Sequence, residues 1–147
     1  MLSKAYGRGT KQPKRFRKKA SPLPLTKEQV LEKKKDPFVV LLNILSEKDF
    51  EKLHIKDSEN LTLGQNIRGF AMAAVKKYSK QTFFITYGAE KESMAALNAA
   101  KILLDKGLKA DNYSGGLQEW LQAGLPTVGT DDPQKPAKLL ASTRKGK

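Results

Sequence analysis

The sequence predicts an α/β fold, a small domain with a central, mainly parallel sheet flanked by helices and with extended basic tails. The apolar run at 38–45 has the length and pattern of a strand buried on both faces, and residues 82–87 are predicted to form a second buried strand. Helical segments separate these two strands, and strands that alternate with helices are typical of a parallel sheet. The chain of 147 residues has room for one such domain with one core.

The first three helices are predicted from capping residues and from apolar periodicity. Thr26 and Gln29 have the spacing of a capping box, so a short helix is expected there that ends before Pro37. Ser46 is expected to cap a second short helix. A third helix is expected at 67–78, where the apolar residues recur on one helical face: Ile67, Phe70, Ala71, Ala74, Val75 and Tyr78.

The second half of the chain continues the alternation. A helix is expected at 93–106, closed by Gly107 just past its end, because glycine adopts the left-handed conformation without strain. A short strand is expected at 110–114. A last helix is expected at 116–123, closed by Gly124.

The positive charge is concentrated at the two ends of the chain. Lys and Arg total 28 against 15 Asp and Glu, which gives a formal net charge of +13. Residues 1–35 hold 12 cations and two acids, residues 36–128 hold 11 of each, and residues 129–147 hold five cations and two acids. We therefore divide the chain into a basic extended arm at 1–25, a domain at 26–128 and a basic C-terminal tail after it.

The composition excludes several kinds of chemistry. The chain contains no Cys, so it has no disulfide, no thiolate metal site and no cysteine nucleophile. His54 is the single histidine, which leaves too few ligands for a zinc site and favours a structural role in the core or a turn. No apolar run approaches the roughly 18 to 20 residues that cross a bilayer. We expect no metal, no cofactor and no small-molecule substrate.

The basic arm admits four interpretations: a solvated tail, an organelle transit peptide, a segment that binds an anionic membrane surface, and an arm that binds nucleic acid. A transit peptide needs an amphipathic helix, which Gly7, Gly9 and Pro13 would interrupt. A membrane segment would need a hydrophobic anchor. We favour RNA, because cations neutralise phosphates and an aromatic ring stacks on bases. The expected RNA-binding residues are Lys4, Arg8, Lys11, Lys14, Arg15, Phe16, Arg17, Lys18 and Lys19.

Three segments of the middle of the chain resemble the rhodanese homology domain. Residues 113–120, which read YSGGLQEW, and the Ala-Gly-Leu-Pro at 123–126 are similar to the family's closing signature. Residues 38–60 are similar to the family's first strand, short helix and His-Ile stretch. A strand that ends at Tyr87, a short loop and an alanine-rich helix follow in the order that the family uses for its active-site loop. The resemblance runs over residues 26–128 and implies the family's α/β fold.

In active members of this family a Cys follows the central strand, and the loop amides cradle the bound sulfur or oxyanion. The degenerate loop of this chain consists of Tyr87, Gly88, Ala89, Glu90, Lys91, Glu92 and Ser93. Counting back from Ser93 puts Tyr87 at the cysteine position, whereas keeping Tyr87 as the preceding residue puts Gly88 there. Both alignments lose the nucleophile, so the resemblance implies a catalytically inactive member.

The charges expected around this loop have changed as well. The Asp and Arg that the family commonly has at the end of the first strand are replaced by Asn43 and Leu45. The loop Arg expected near Ser93 is replaced by Glu92, and with Glu90 it makes the mouth of the loop acidic. An oxyanion would therefore be repelled.

We expect a non-catalytic rhodanese-like structural subunit of a ribonucleoprotein, associated with the ribosome, that anchors through the RNA-binding arm. Its partners would be RNA, ribosomal RNA above all, and neighbouring proteins. It would reside in the cytoplasm or an organelle matrix, within a large complex. The alternative is a protein-binding adaptor or accessory subunit of a large assembly, including a membrane-associated one, whose arm threads protein rather than RNA.

Overall fold

The computed structural model describes residues 21–133 of the chain. Within this range the helices are α1 (Lys27–Lys33), α2 (Glu47–Lys52), α3 (Ile67–Lys77), α4 (Met94–Asp105) and α5 (Gly116–Gln122). The strands are β1 (Pro24–Leu25), β2 (Val39–Asn43), β3 (His54–Ile55), β4 (Glu59–Asn60), β5 (Phe83–Tyr87), β6 (Lys109–Tyr113) and β7 (Thr127–Val128).

The five strands of the main sheet are all parallel and lie in the order β1-β6-β5-β2-β4. Strands β3 and β7 form a separate antiparallel pair, with His54 opposite Val128. Helices cover both faces of the main sheet. The α/β fold expected from the alternation of strands and helices is confirmed.

Each face of the sheet has its own cluster of buried side chains, because successive residues of a strand point to opposite faces. The α3/α4 face is the face covered by α3 and α4, and its buried residues include Leu42, Phe70, Phe84, Ala99 and Leu103. The α1/α5 face is covered by α1 and α5, and its buried residues include Val30, Ile85, Tyr87, Tyr113 and Trp120.

The capping predictions are confirmed. Thr26 Oγ1 accepts a hydrogen bond from Gln29 N at 3.2 Å, and Gln29 Oε1 accepts one from Thr26 N at 2.8 Å, which completes the capping box of α1. Ser46 caps α2. Gly107 and Gly124 take φ values of +83° and +75° beyond the ends of α4 and α5.

Two apolar segments are less buried than their patterns predict. Strand β2 ends at Asn43, because Asn43 Oδ1 accepts a hydrogen bond from Leu45 N at 2.9 Å and turns the chain. Phe38, at the start of the apolar run, is 52% exposed. On α3 only Phe70, Ala71 and Ala74 are buried, whereas Ile67 and Val75 of the expected apolar face are exposed.

Strand β1 belongs to the main sheet although the sequence analysis assigned it to the arm. The Leu23 carbonyl accepts a hydrogen bond from Asn112 N at 3.1 Å, and Leu25 is buried. Because Leu23 and Leu25 face β6, the backbone of Pro22 and Pro24 faces outward, and proline has no N–H. The outer edge of β1 therefore offers no donor there to an added strand, which protects the edge of the sheet.

Candidate functional site

The loop at 88–93 lies at the carboxyl edge of the sheet, between β5 and α4. Its last residue, Ser93, caps α4 by accepting a hydrogen bond from Ala96 N at 3.2 Å. Glu92 has a φ of +55°, which is uncommon for a residue with a side chain. The Glu92 N–H donates to the Ser114 carbonyl at 2.6 Å, so the loop is tied to the end of β6.

The same loop holds the first turn of α5. The Gly88 carbonyl accepts a hydrogen bond from Leu117 N and the Ala89 carbonyl accepts one from Gln118 N, each at 2.9 Å. At the start of α5, Gly116 has a φ of +71°, and a Cβ there would overlap the Glu90 carbonyl oxygen. Because loop carbonyls already occupy these helical N–H groups, the groups are not available to an anion.

Tyr87 points away from the loop into the α1/α5 face. Its hydroxyl lies 3.0 Å from Asn43 Nδ2 and from Ile55 N, which both donate to it, and 2.8 Å from Ser58 Oγ. Burial raises the pKa of the Tyr87 hydroxyl, and the hydrogen bonds with Ser58, Asn43 and Ile55 partly oppose that rise. Tyr87 thus joins three separate chain segments beneath the loop.

Gly88 is buried, and the space that a side chain at this position would take is already filled. A Cβ built on Gly88 would lie 2.6 Å from Ser93 Oγ and 2.9 Å from Ser93 Cβ. Those contacts are shorter than van der Waals distances. The Ser93 side chain is in turn held by its bond with Ala96 N, so the cap of α4 and a side chain at position 88 compete for one space.

The exposed part of the loop consists of Ala89, Glu90, Lys91 and Glu92. A shallow groove of about 310 Å³ lies between this part and the end of β2, where Ile44 and Leu45 form its apolar side. Lys91 is the single cation among the residues that line the groove, against two carboxylates. The acidic mouth expected from the sequence is therefore present, and an oxyanion in this groove would meet net repulsion.

His54 has the structural position that the sequence suggested. Its ring stacks on that of Phe50 with 3.7 Å between the centroids, and Nδ1 donates to the Phe50 carbonyl at 2.6 Å. The side chain is half-buried in the short strand β3. Both contacts fasten the end of α2 and do not point towards the loop.

The closing signature of the chain is explained by hydrogen bonds at aromatic residues. Trp120 is 1% exposed, and its Nε1 donates to the Pro126 carbonyl at 2.9 Å. Tyr113 packs edge-to-face on Trp120, and its hydroxyl donates to Glu119 Oε1 at 2.7 Å. Burial and then the Glu119 carboxylate raise the pKa of Tyr113.

The sequence reasoning missed a second groove, of about 380 Å³, between β1 and the first turn of α4. Asn112 lines it and is only 5% exposed, yet its Oδ1 has no hydrogen-bond partner. The signal available in the sequence was an Asn in the middle of a buried strand. That signal was insufficient, because the partners of a strand residue are distant in sequence.

The expected RNA-binding residues between Lys4 and Lys19 lie outside the described residues. Within 21–133, no three His, Asp or Glu side chains come together in a way that could hold a metal ion. None of the helices in the same range combines the length and apolar character that crossing a membrane requires.

Comparison with known proteins places this geometry in a family. Residues 26–123 match the family model described as the rhodanese-like domain. Curated proteins provided no significant match. Several solved structures are similar.

A Bacillus halodurans protein has 16% identity and a TM-score of 0.65, with 80% of this chain and 89% of that chain covered. The rhodanese-like domain of an Anabaena protein has 19% identity and a TM-score of 0.63, with 84% and 89% covered. A Saccharomyces cerevisiae protein has 22% identity and a TM-score of 0.60, with 71% and 95% covered. At these identities the likeness concerns the fold alone.

Proposed function

The chain belongs to the rhodanese-like family, and we propose that it is a non-catalytic structural subunit of a ribonucleoprotein, anchored to RNA by its basic ends. The chain has no Cys and therefore no rhodanese catalytic cysteine. The single observation that carries the RNA part of the proposal is the separation of charge between the folded domain and the two ends.

All 15 acidic residues of the chain lie within 21–133, together with 15 of the 28 cations, so the described domain has no net charge. The remaining 13 cations lie in residues 1–20 and 134–147, where there is no acid. Segments of this composition attract polyanions by releasing counterions from phosphates. The neutral domain would then dock on neighbouring RNA or protein without strong long-range attraction of its own.

We propose further that Gly88 stands at the position of the lost cysteine, rather than Tyr87. The Tyr87 side chain is committed to three hydrogen-bond partners in the core, whereas Gly88 follows the end of β5 at the start of the loop. The Ser93 side chain fills the space of a residue at 88. Both features support loss of catalysis through a change in packing as well as in chemistry.

Gly88→Cys should therefore show no thiosulfate:cyanide sulfurtransferase activity above the parent protein. Gly88→Cys combined with Ser93→Ala opens the space, and it should also fail because Glu90 and Glu92 keep the mouth acidic. Steady turnover by the single variant would show that the loop retains a working cradle.

The RNA proposal is tested by measuring how the affinity of the full-length protein for structured RNA depends on salt. In one variant Lys14, Arg15, Lys18 and Lys19 are changed to Ala. A matched control removes the same charge from exposed positions on the domain, namely Lys48, Lys76, Lys80 and Lys101. Each lost phosphate contact should reduce the slope of log K against log salt by about 0.7 to 0.9.

The arm variant should lose roughly three units of slope, and the control should keep the parent slope. Equal slopes for all three proteins would contradict the proposal. The parent protein could instead fail to bind RNA at low salt and still sediment in a complex that resists nuclease. That result would contradict the ribonucleoprotein proposal and support the protein-binding adaptor.

A further inference from the structure

The groove between β1 and the first turn of α4 has two apolar walls and a polar residue in its floor. Pro22 and Pro24 form one wall, and Met94 and Leu97 from the first turns of α4 form the other. Asn112 lies in the floor as a buried carboxamide. The volume of about 380 Å³ is within the usual range of small-ligand pockets, which are apolar with a few placed polar groups.

The Asn112 Oδ1 atom is left without a partner because its neighbours on the sheet cannot donate to it. On β5, the Thr86 hydroxyl opposite Asn112 donates to the Ala96 carbonyl at 2.7 Å. On β1, the residue opposite Asn112 is Pro24, whose side chain carries no hydrogen-bond donor. A buried acceptor without a donor is unfavourable, and a ligand that supplies the donor removes that cost.

We propose that this groove binds one unpaired nucleobase of a single-stranded RNA segment, an inference that rests on the proposed RNA-binding function. A carboxamide presents an acceptor and a donor side by side, which matches the edge of a base. The walls suit the two faces of a planar ring, since apolar groups gain from contact with it and the Met94 thioether interacts favourably with aromatic rings.

The groove also adjoins the arm that would hold the phosphates. Pro22 lines the groove, and Lys19 and Lys18 precede it by three and four residues, a chain length of roughly 14 Å at most. Glu92 is the one charged residue that lines the groove. Its carboxylate accepts hydrogen bonds from a base amine or a ribose hydroxyl and repels phosphate, so the RNA backbone runs on the side of the arm.

The test compares two oligomers of equal charge, an oligo(A) of about 12 nucleotides and an abasic oligomer of the same length. The full-length protein should bind oligo(A) about tenfold more tightly than the abasic oligomer at one salt concentration. Asn112→Ala should abolish most of this preference. The salt dependence for both oligomers should stay unchanged, because the phosphate contacts are untouched.

Asn112→Ala should fold, since it removes an unpartnered acceptor, and its thermal midpoint verifies that. Met94→Ala provides a second variant at an exposed position and should reduce the preference about threefold. Met72→Ala, at an exposed Met on α3, is its matched control and should have no effect.

If both oligomers bind equally well to the parent protein, the base site is refuted while the RNA-binding arm stands. The same conclusion follows if Asn112→Ala and Met94→Ala keep the full preference. If neither oligomer nor structured RNA binds at low salt, the proposed function itself fails.

Discussion

The two faces of the sheet are held in different ways. On the α3/α4 face, alanines of α4 sit close to the sheet and Leu103 and Phe84 fill the space between them, so packing is the main interaction. On the α1/α5 face, large rings are buried and their polar atoms are paired: the Tyr87 hydroxyl, the Tyr113 hydroxyl and the Trp120 N–H. Both the loop at 88–93 and the closing signature depend on contacts of the α1/α5 face.

The α1/α5 face also holds the carboxyl edge of the sheet together, in a chain that has no rhodanese catalytic cysteine. Tyr87 connects β5 to Asn43 at the end of β2 and to the segment that contains Ile55 and Ser58. The polar groups at this edge of the sheet are used to hold the fold.

The largest expected effect is on the α1/α5 face. Trp120→Ala removes a fully buried indole and one of the two donors to the Pro126 carbonyl, the other being Lys56 N, so we expect a loss of about 3 to 5 kcal/mol in the free energy of unfolding. Urea denaturation measures it. Leu103→Ala on the α3/α4 face should cost about 2 to 5 kcal/mol from lost apolar burial and the cavity that remains, with no hydrogen bond removed. A loss below about 1 kcal/mol for Trp120→Ala would show that the indole is not part of the core.

A smaller effect isolates the hydrogen bonds from the packing. Tyr87→Phe keeps the ring and removes a hydroxyl that satisfies the Ile55 N–H and Asn43 Nδ2, so we expect a loss of about 1 to 3 kcal/mol. Tyr78→Phe is the matched control, because its hydroxyl donates to the exposed carboxylate of Glu59. The control should lose less than half as much. Equal losses would mean that burial of the Tyr87 hydroxyl does not increase its contribution to the free energy of unfolding.

The smallest effect concerns pH. The pKa of Tyr113 is raised in the folded protein, whereas in the unfolded chain a tyrosine ionises near pH 10. Below pH 10 both states keep the proton and the stability is complete. Above it the unfolded state alone loses the proton, so stability falls by up to about 1.4 kcal/mol per pH unit for each such tyrosine.

Tyr113→Phe removes this contribution, so its free energy of unfolding should fall less steeply than that of the parent between about pH 10 and pH 11. Urea midpoints of both proteins, measured at intervals of half a pH unit, check this. Because both proteins contain the same lysines, the titration of lysines cancels in the difference between them. Parallel curves for the two proteins would show that the Tyr113 hydroxyl ionises as readily in the fold as in the unfolded chain.

The helices could be located from sequence because their ends depend on residues three or four positions apart. Thr26 with Gln29, and Ser46, each satisfy a backbone amide within one turn, and both predicted caps are present. Strand β1 could not be located in this way. It has two residues, one of them proline, and its partner β6 lies almost ninety residues later.

The amino-acid sequence alone determined the absence of a thiol, the charged ends, the alternation of strands and helices, and the family resemblance. All of these depend on residue type or on short spacing. The tertiary structure decided which side chains are paired. Tyr87 finds its partners on two other segments, at Asn43 and in the turn that contains Ile55 and Ser58. Asn112 Oδ1 is left unpartnered because Thr86 donates elsewhere and the Pro24 side chain has no donor. A buried polar group is satisfied only by atoms within about 3 Å, and the fold alone sets which atoms those are.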